Sequence, residues 1–265
     1  MREPSEALCF QTALQIAHLI ATRQTTSRAV TQYFLDRIAC SSALNAFTVV
    51  FAEQALAAAD AADRALDTGH PLSPLHGVPV AIKDNIEIAN TLASAGSLSR
   101  LTTISAVTST VAQRLQAAGM VIVGKTQMTE FAFGLSGQNP TRGTPWNPWD
   151  AKLHRAPGGS SSGAAVAVAA GLVPIAVGGD TGGSIRAPAS LKPLVGFKPS
   201  SGLISLDGVV PLAPSLDVLG PIARDVYDAH ALTAILTSPS TDNGLNVQAE
   251  LASGLVPPQP GTVWV

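Results

Sequence analysis

One lysine and two Gly/Ser loops are the residues of this chain that could do chemistry. Lys83 directly follows the apolar run Val78 to Ile82 in the stretch His76-Gly77-Val78-Pro79-Val80-Ala81-Ile82-Lys83-Asp84-Asn85. It reads either as a strand-end lysine reaching solvent or as a desolvated lysine with a lowered pKa, able to act as a base. The loops are Pro157-Gly158-Gly159-Ser160-Ser161-Ser162-Gly163 and Gly179-Asp180-Thr181-Gly182-Gly183-Ser184-Ile185-Arg186. Flexible turns would share this composition. Phosphate cradles fit less well, because neither loop reads GxxxxGK[ST] and no GxGxxG follows a strand. A Gly-Gly-Ser turn directly after a buried strand suits an oxyanion hole, since consecutive N–H groups can converge where no Cβ obstructs them. The serine ending such a turn is a candidate nucleophile. A serine needs a base, and none of His18, His70, His76, His154 or His230 has the surroundings of a Ser-His-Asp triad. No GxSxG elbow is present either. A Ser/Lys system is the natural alternative, with Lys83 held neutral in a dry site.

These residues need elements to position them. Helical periodicity runs through residues 12 to 39 with a break, after which Thr25-Thr26-Ser27 offers an N-cap for a second helix. Residues 52 to 66 read as an Ala-rich surface helix ended by Gly69. Val78 to Ile82 reads as a short strand. Thr110 to Ala118 reads as a helix ended by Gly119, and Met120 to Val123 as a strand stopped by Gly124. The same helix–Gly–strand unit returns as Ala164 to Ala170, Gly171, then Val173 to Val177. This alternation predicts an α/β fold, with a mixed, mostly parallel buried sheet covered by helices on both faces. Pro257 to Gly261 reads as a linker or turn.

Composition narrows the function classes. The chain has 265 residues, 46% hydrophobic and only 13% charged, against about 25% charged in ordinary domains. Disordered chains show the reverse balance. A formal net charge of -2 gives no basic field for nucleic acid. Cys9 and Cys40 form no CxxC pair, and no His/Cys group has zinc spacing, which argues against a disulfide scaffold and a metal centre. The apolar stretch Gly163 to Gly179 is too short and too broken for a membrane span. Met1 to Leu14 does not read as a signal peptide, so the expected compartment is the cytoplasm.

The segment from His76 to Asp228 resembles the amidase signature family of serine amidases. The resemblance rests on GGSSSGAAVAVAAGLVPIAVGGDTGGSIRAPAS (Gly158 to Ser190), on HGVPVAIKDN upstream, and on GKTQMTEFAFG, Val195 to Pro199 and DVLGPIA (Asp217 to Ala223). It implies a Ser-cisSer-Lys triad. Lys83 matches the catalytic lysine, Ser160 the bridging serine with its cis peptide, and Ser184 the nucleophile. The N–H groups of Thr181, Gly182, Gly183 and Ser184 would form the oxyanion hole. Asp180 and Arg186 would hold the nucleophile loop, with Ser161 as a supporting donor and Met128 in the pocket wall. The implied reaction is hydrolysis of a small-molecule carboxamide to carboxylate and ammonia through a Ser184 acyl-enzyme. No metal or organic cofactor is implied, no nucleic-acid or membrane partner is expected, and a homodimer is left open.

On this reading residues 1–265 are one domain, with a helical region at 1–70, the signature core at 71–240 and a tail at 241–265. The family's C-terminal region is expected to be missing. Lys192-Pro193 departs from the family pattern of a small or polar residue followed by Gly. Lys192 would put a charge into an apolar segment, and Pro193 removes a backbone donor, so the following strand is expected to be distorted. Two alternatives stand beside the amidase. One is the glutaminase subunit of a tRNA-dependent amidotransferase, against which Thr129 counts, because an acidic residue is expected there in GKTQMTEF. The other is an inactive, truncated family member.

Overall fold

The computed structural model describes residues 6–237. Among these, β1 (Phe47–Val50), β2 (Pro79–Lys83), β3 (Val121–Thr126), β4 (Ile175–Asp180), β5 (Val195–Gly196) and β6 (Val218–Ala223) form one sheet in the order β1-β3-β2-β4-β6-β5. The centre, β3-β2-β4, is parallel, and the flanking pairs β1–β3, β4–β6 and β5–β6 are antiparallel. The helices are α1 (Ala13–Ala21), α2 (Ser27–Cys40), α3 (Ala52–Asp67), α4 (Thr110–Ala117), α5 (Ser162–Ala169), α6 (Arg186–Ser190) and α7 (Val226–Leu236).

The alternation of side chains along the central strands divides the core between two faces. Val80 and Ile82 of β2, Ile122 of β3 and Ile175 and Val177 of β4 pack with α1, α4 and α7. Ala81, Val121, Val123 and Ala176 turn the other way, onto α3 and onto α5, which is buried from Ser162 to Val168. Helix α2 serves both faces, with Val30 and Phe34 in one cluster and Leu35 and Ile38 in the other. Layers on both faces explain why β2, β3, β4 and β6 are buried along their whole length. They also explain the low charge content: these strands have no solvated face on which to carry charges.

Local signals set several boundaries. Thr26 caps α2 by accepting from the Ala29 N–H at 3.1 Å. Gly69, at φ +79°, follows the end of α3. The expected stop at Gly124 is corrected: β3 runs through it to Thr126. A Cβ at Gly124 would lie 2.4 Å from the Val49 carbonyl oxygen, so the residue that reads as a breaker is what lets β1 approach. β4 likewise extends past Val177 to Asp180. The segment after α6 does contribute a strand, but β5 is only two residues long. The turn expected at Pro257 to Gly261 lies outside the described residues.

Candidate active site

The parallel centre of the sheet brings the two chemical loops to one end. Lys83 is the last residue of β2 and Asp180 the last of β4, and these strands are neighbours. Both carboxyl ends open on the same side, where ligand sites of α/β sheets lie. Helix α5 begins at Ser162, the last of the three serines, and the second loop leads into α6.

Lys83 is 1% exposed. Its Nζ lies 2.7 Å from Ser160 Oγ and 3.3 Å from the Gly179 carbonyl. Burial lowers its pKa to about 7, against the opposing charges of Asp180 and Asp217. A substantial share of this amine is therefore neutral near pH 7. The peptide bond Gly159–Ser160 is cis.

The three consecutive serines have different partners. Ser160 takes Lys83. Ser161 Oγ donates to the Gly179 carbonyl at 3.1 Å and accepts from the Gly179 N–H at 3.2 Å, tying the first loop to β4. Ser162 Oγ is buried and has no partner among the described residues. The Ser161 N–H donates to the Ser184 carbonyl at 3.2 Å, which docks the second loop onto the first. Ser184 itself is 3% exposed, and its hydroxyl makes no hydrogen bond among the described residues.

Asp180 organises the second loop. Its carboxylate accepts from the N–H groups of Gly183 (2.7 Å), Ile185 (3.0 Å) and Arg186 (3.3 Å). It is also gripped by the Arg186 guanidinium at 3.0 and 2.9 Å. Burial alone would raise the Asp180 pKa. The Arg186 side chain and these amide donors outweigh burial and hold it below the usual carboxylate range. The Gly183 N–H is thus committed to Asp180 rather than pointing free. The N–H groups of Thr181, Gly182 and Ser184 make no hydrogen bond among the described residues. They are the unengaged main-chain donors of this loop.

The sequence reading did not give Asp217 or Asn85 a role. Asp217 accepts from the Thr181 hydroxyl, from the Leu212 N–H at 2.9 Å and from the Ala213 N–H at 3.1 Å, fixing the residue that follows β4. The available signal was a charge at the head of a strand that is otherwise wholly apolar. Asn85 donates to the Val210 carbonyl at 3.2 Å, and its Oδ1 is buried without a partner among the described residues. Lys83, Asn85, Asp180, Thr181 and Asp217 line one small cleft, walled by Leu206, Val209, Leu212 and Leu219. Met128 is not in that lining. It is fully buried, and a Cβ on Gly96 would lie 3.1 Å from its Cγ. Among the described residues no group of three or more His, Cys, Asp or Glu is placed to hold a metal ion, and no helix is long and apolar enough to cross a membrane.

Over 240 residues the chain is 44% identical to a Glutamyl-tRNA(Gln) amidotransferase subunit of Acidothermus cellulolyticus, covering 90% of this chain and 47% of that protein. It superimposes with a TM-score of 0.81 and 34% identity on the native peptide amidase from Stenotrophomonas maltophilia, covering 94% of this chain and 51% of that one. Another similar structure, at TM-score 0.83 and 38% identity over 87% of this chain and 50% of its own, is described as a vestigial protein complex that reveals the evolutionary origins of an s-triazine catabolic enzyme. The chain spans about half the length of the curated relatives it matches. The model of the Amidase family matches residues 29–251, and the chain belongs to that family.

Proposed function

We propose that this chain carries the acyl-transfer machinery of an amidase that hydrolyses a small carboxamide to a carboxylate and ammonia. The observation that carries the reading is the buried contact between Lys83 Nζ and Ser160 Oγ, at 2.7 Å, with the lysine pKa near 7. In the neutral state Lys83 accepts the Ser160 proton, and Ser160 accepts the proton of Ser184. The Ser184 hydroxyl holds no other partner among the described residues, its carbonyl accepts from the Ser161 N–H beside Ser160 at 3.2 Å, and catalytic contacts are often loose before substrate binds. Ser184 Oγ then attacks the amide carbon. The N–H groups of Thr181, Gly182 and Ser184 receive the developing oxyanion, each such donor being worth roughly 10²–10³ in rate. The proton returns along the relay to the leaving nitrogen, and water cleaves the acyl-enzyme.

A second reading, the glutaminase step of an amidotransferase, is favoured by the 44% identity to the amidotransferase relative. The two readings share the residues and differ in substrate. The test is ammonia release from aliphatic amides, aryl amides and glutamine, together with covalent labelling of Ser184 by a fluorophosphonate. Release from the simple amides supports the amidase. Release from glutamine alone supports the second reading. Absence of both turnover and label at Ser184 overturns both.

The rate is expected to rise with pH through about 7 as Lys83 loses its proton. The negative charge of Asp217 raises the Lys83 pKa, so Asp217→Asn is expected to move this limb to lower pH. A pH–rate profile with chemistry limiting checks both. An unmoved limb in the variant would show that Asp217 does not act on the base.

A further inference from the structure

Lys192 stands outside the machinery described so far, and the fold gives it an unusual place. It lies just beyond α6 and is 3% exposed. Its Nζ donates to the Pro157 carbonyl and, at 3.5 Å, to the Pro188 carbonyl. No carboxylate pairs with it among the described residues. The charged groups on the elements packed around it are turned elsewhere: Arg186 of α6 onto Asp180, and Arg155 ahead of Pro157 onto Asp150. Neither α5 nor β5 carries a charge.

The contact falls at the start of the loop, ahead of the Ser160 and Ser161 hydroxyl contacts, where the hydrogen bonds of Gly158 and Gly159 among the described residues are to backbone alone. The Gly158 N–H donates to the Ser136 carbonyl at 3.1 Å and the Gly159 N–H to the Leu135 carbonyl at 2.7 Å. The Ser160 carbonyl accepts from the Thr129 N–H at 3.1 Å. Gly158, at φ +67°, leaves no room for a Cβ, which would lie 2.7 Å from the Pro188 Cα. The loop therefore rides directly on α6. Among the described residues, Lys192 is the one side chain that donates to the main chain of residues 157–160.

We propose that Lys192 is a positioning residue. Its ammonium clamps Pro157 to the end of α6, and so fixes the loop bearing Ser160 against the helix that follows Ser184. This rests on Ser160 and Ser184 being the reacting pair. The clamp costs the fold some stability, because an ammonium is buried against carbonyls without a counter-charge. Burial lowers the Lys192 pKa to about 8. A lysine whose folded pKa is lowered costs the fold most below that value, and the cost is relieved as pH rises from about 8 towards the ordinary lysine value of 10.5. The charge-assisted contact to Pro157 weakens over the same range. Global stability and loop order are thus expected to change in opposite directions.

Lys192→Met keeps the unbranched side chain up to the position before Nζ and removes the charge. Hydrogen exchange on the full chain is the test. Protection factors at the Gly158, Gly159 and Ser161 amides are expected to fall roughly tenfold or more in the variant, while its melting temperature at pH 7 is unchanged or raised. In the unsubstituted chain the same protection is expected to fall as pH rises through about 8, and in the variant to stay low and flat. Fluorophosphonate labelling of Ser184 should slow in the variant in parallel with the lost protection. Unchanged protection, or protection and melting temperature falling together as for an ordinary packing residue, would overturn the proposal. If Ser184 of the unsubstituted chain takes no label, the amidase reading fails, and the exchange data still decide whether Lys192 holds the loop.

Discussion

Ser184→Ala is expected to lower amide hydrolysis by roughly 10⁴-fold or more, the scale seen when a triad nucleophile is removed. The fold should not register the change. The Ser184 hydroxyl makes no hydrogen bond among the described residues, so its loss leaves no partner stranded. The loop is held through its main chain instead, by the Ser184 carbonyl on the Ser161 N–H and by Asp180 on three amides. The melting temperature should stay within about 2 °C. The neighbouring serines provide the contrast. Ser161→Ala strips a hydroxyl that serves both the N–H and the carbonyl of Gly179, and is expected to cost stability as well as rate. Substantial hydrolysis by pure Ser184→Ala would sink the assignment of the nucleophile.

Asp180→Ala is expected to have the second-largest effect, and here activity and stability should fall together. The carboxylate is 1% exposed and satisfies the N–H groups of Gly183, Ile185 and Arg186. Removing it leaves three amides without their acceptor, each worth about 1–3 kcal/mol when buried and unsatisfied. It also frees Gly183, so the turn that aims the Thr181, Gly182 and Ser184 donors is no longer fixed. A loss of roughly 10³-fold or more in kcat is expected, the scale of misplaced oxyanion donors, with a measurable drop in melting temperature. Arg186→Ala should cost far less. The Arg186 side chain is 54% exposed, and its removal leaves all three amides on Asp180. Comparable losses in the two variants would mean that the ion pair, rather than the amides, holds the loop.

The legible parts of this chain were those whose physics is local. The runs Val78 to Ile82 and Val173 to Val177 read as buried strands because they are apolar without interruption. The two Gly/Ser loops stood out because nothing in a generic fold calls for them. What stayed hidden depends on partners distant in sequence. Lys83 and Ser160 are 77 residues apart, so their 2.7 Å contact cannot be read from spacing. Their roles came from a resemblance. Gly124 read as a strand end because the carbonyl that needs its missing Cβ belongs to Val49. β1 was missed because it is a four-residue, partly exposed edge strand, and β6 because its Gly220-Pro221 looks like a turn. Lys192 looked misplaced in its apolar segment because its acceptor, the Pro157 carbonyl, comes 35 residues earlier.

The order β1-β3-β2-β4-β6-β5 has a consequence for how the molecule forms. β2 pairs with β4 across nearly the whole intervening sequence, Val80 meeting Ile175. Lys83 stands at the end of that pairing and cannot meet Ser160 before it closes. Contacts of such long range delay folding, since the closure entropy is spent before they form. The apolar faces of β2 and β4 therefore remain open to wrong association while the chain searches. Reactivity at Ser184 then becomes a clock for refolding: it should return only with the last protected amides of the central sheet, behind the local helices.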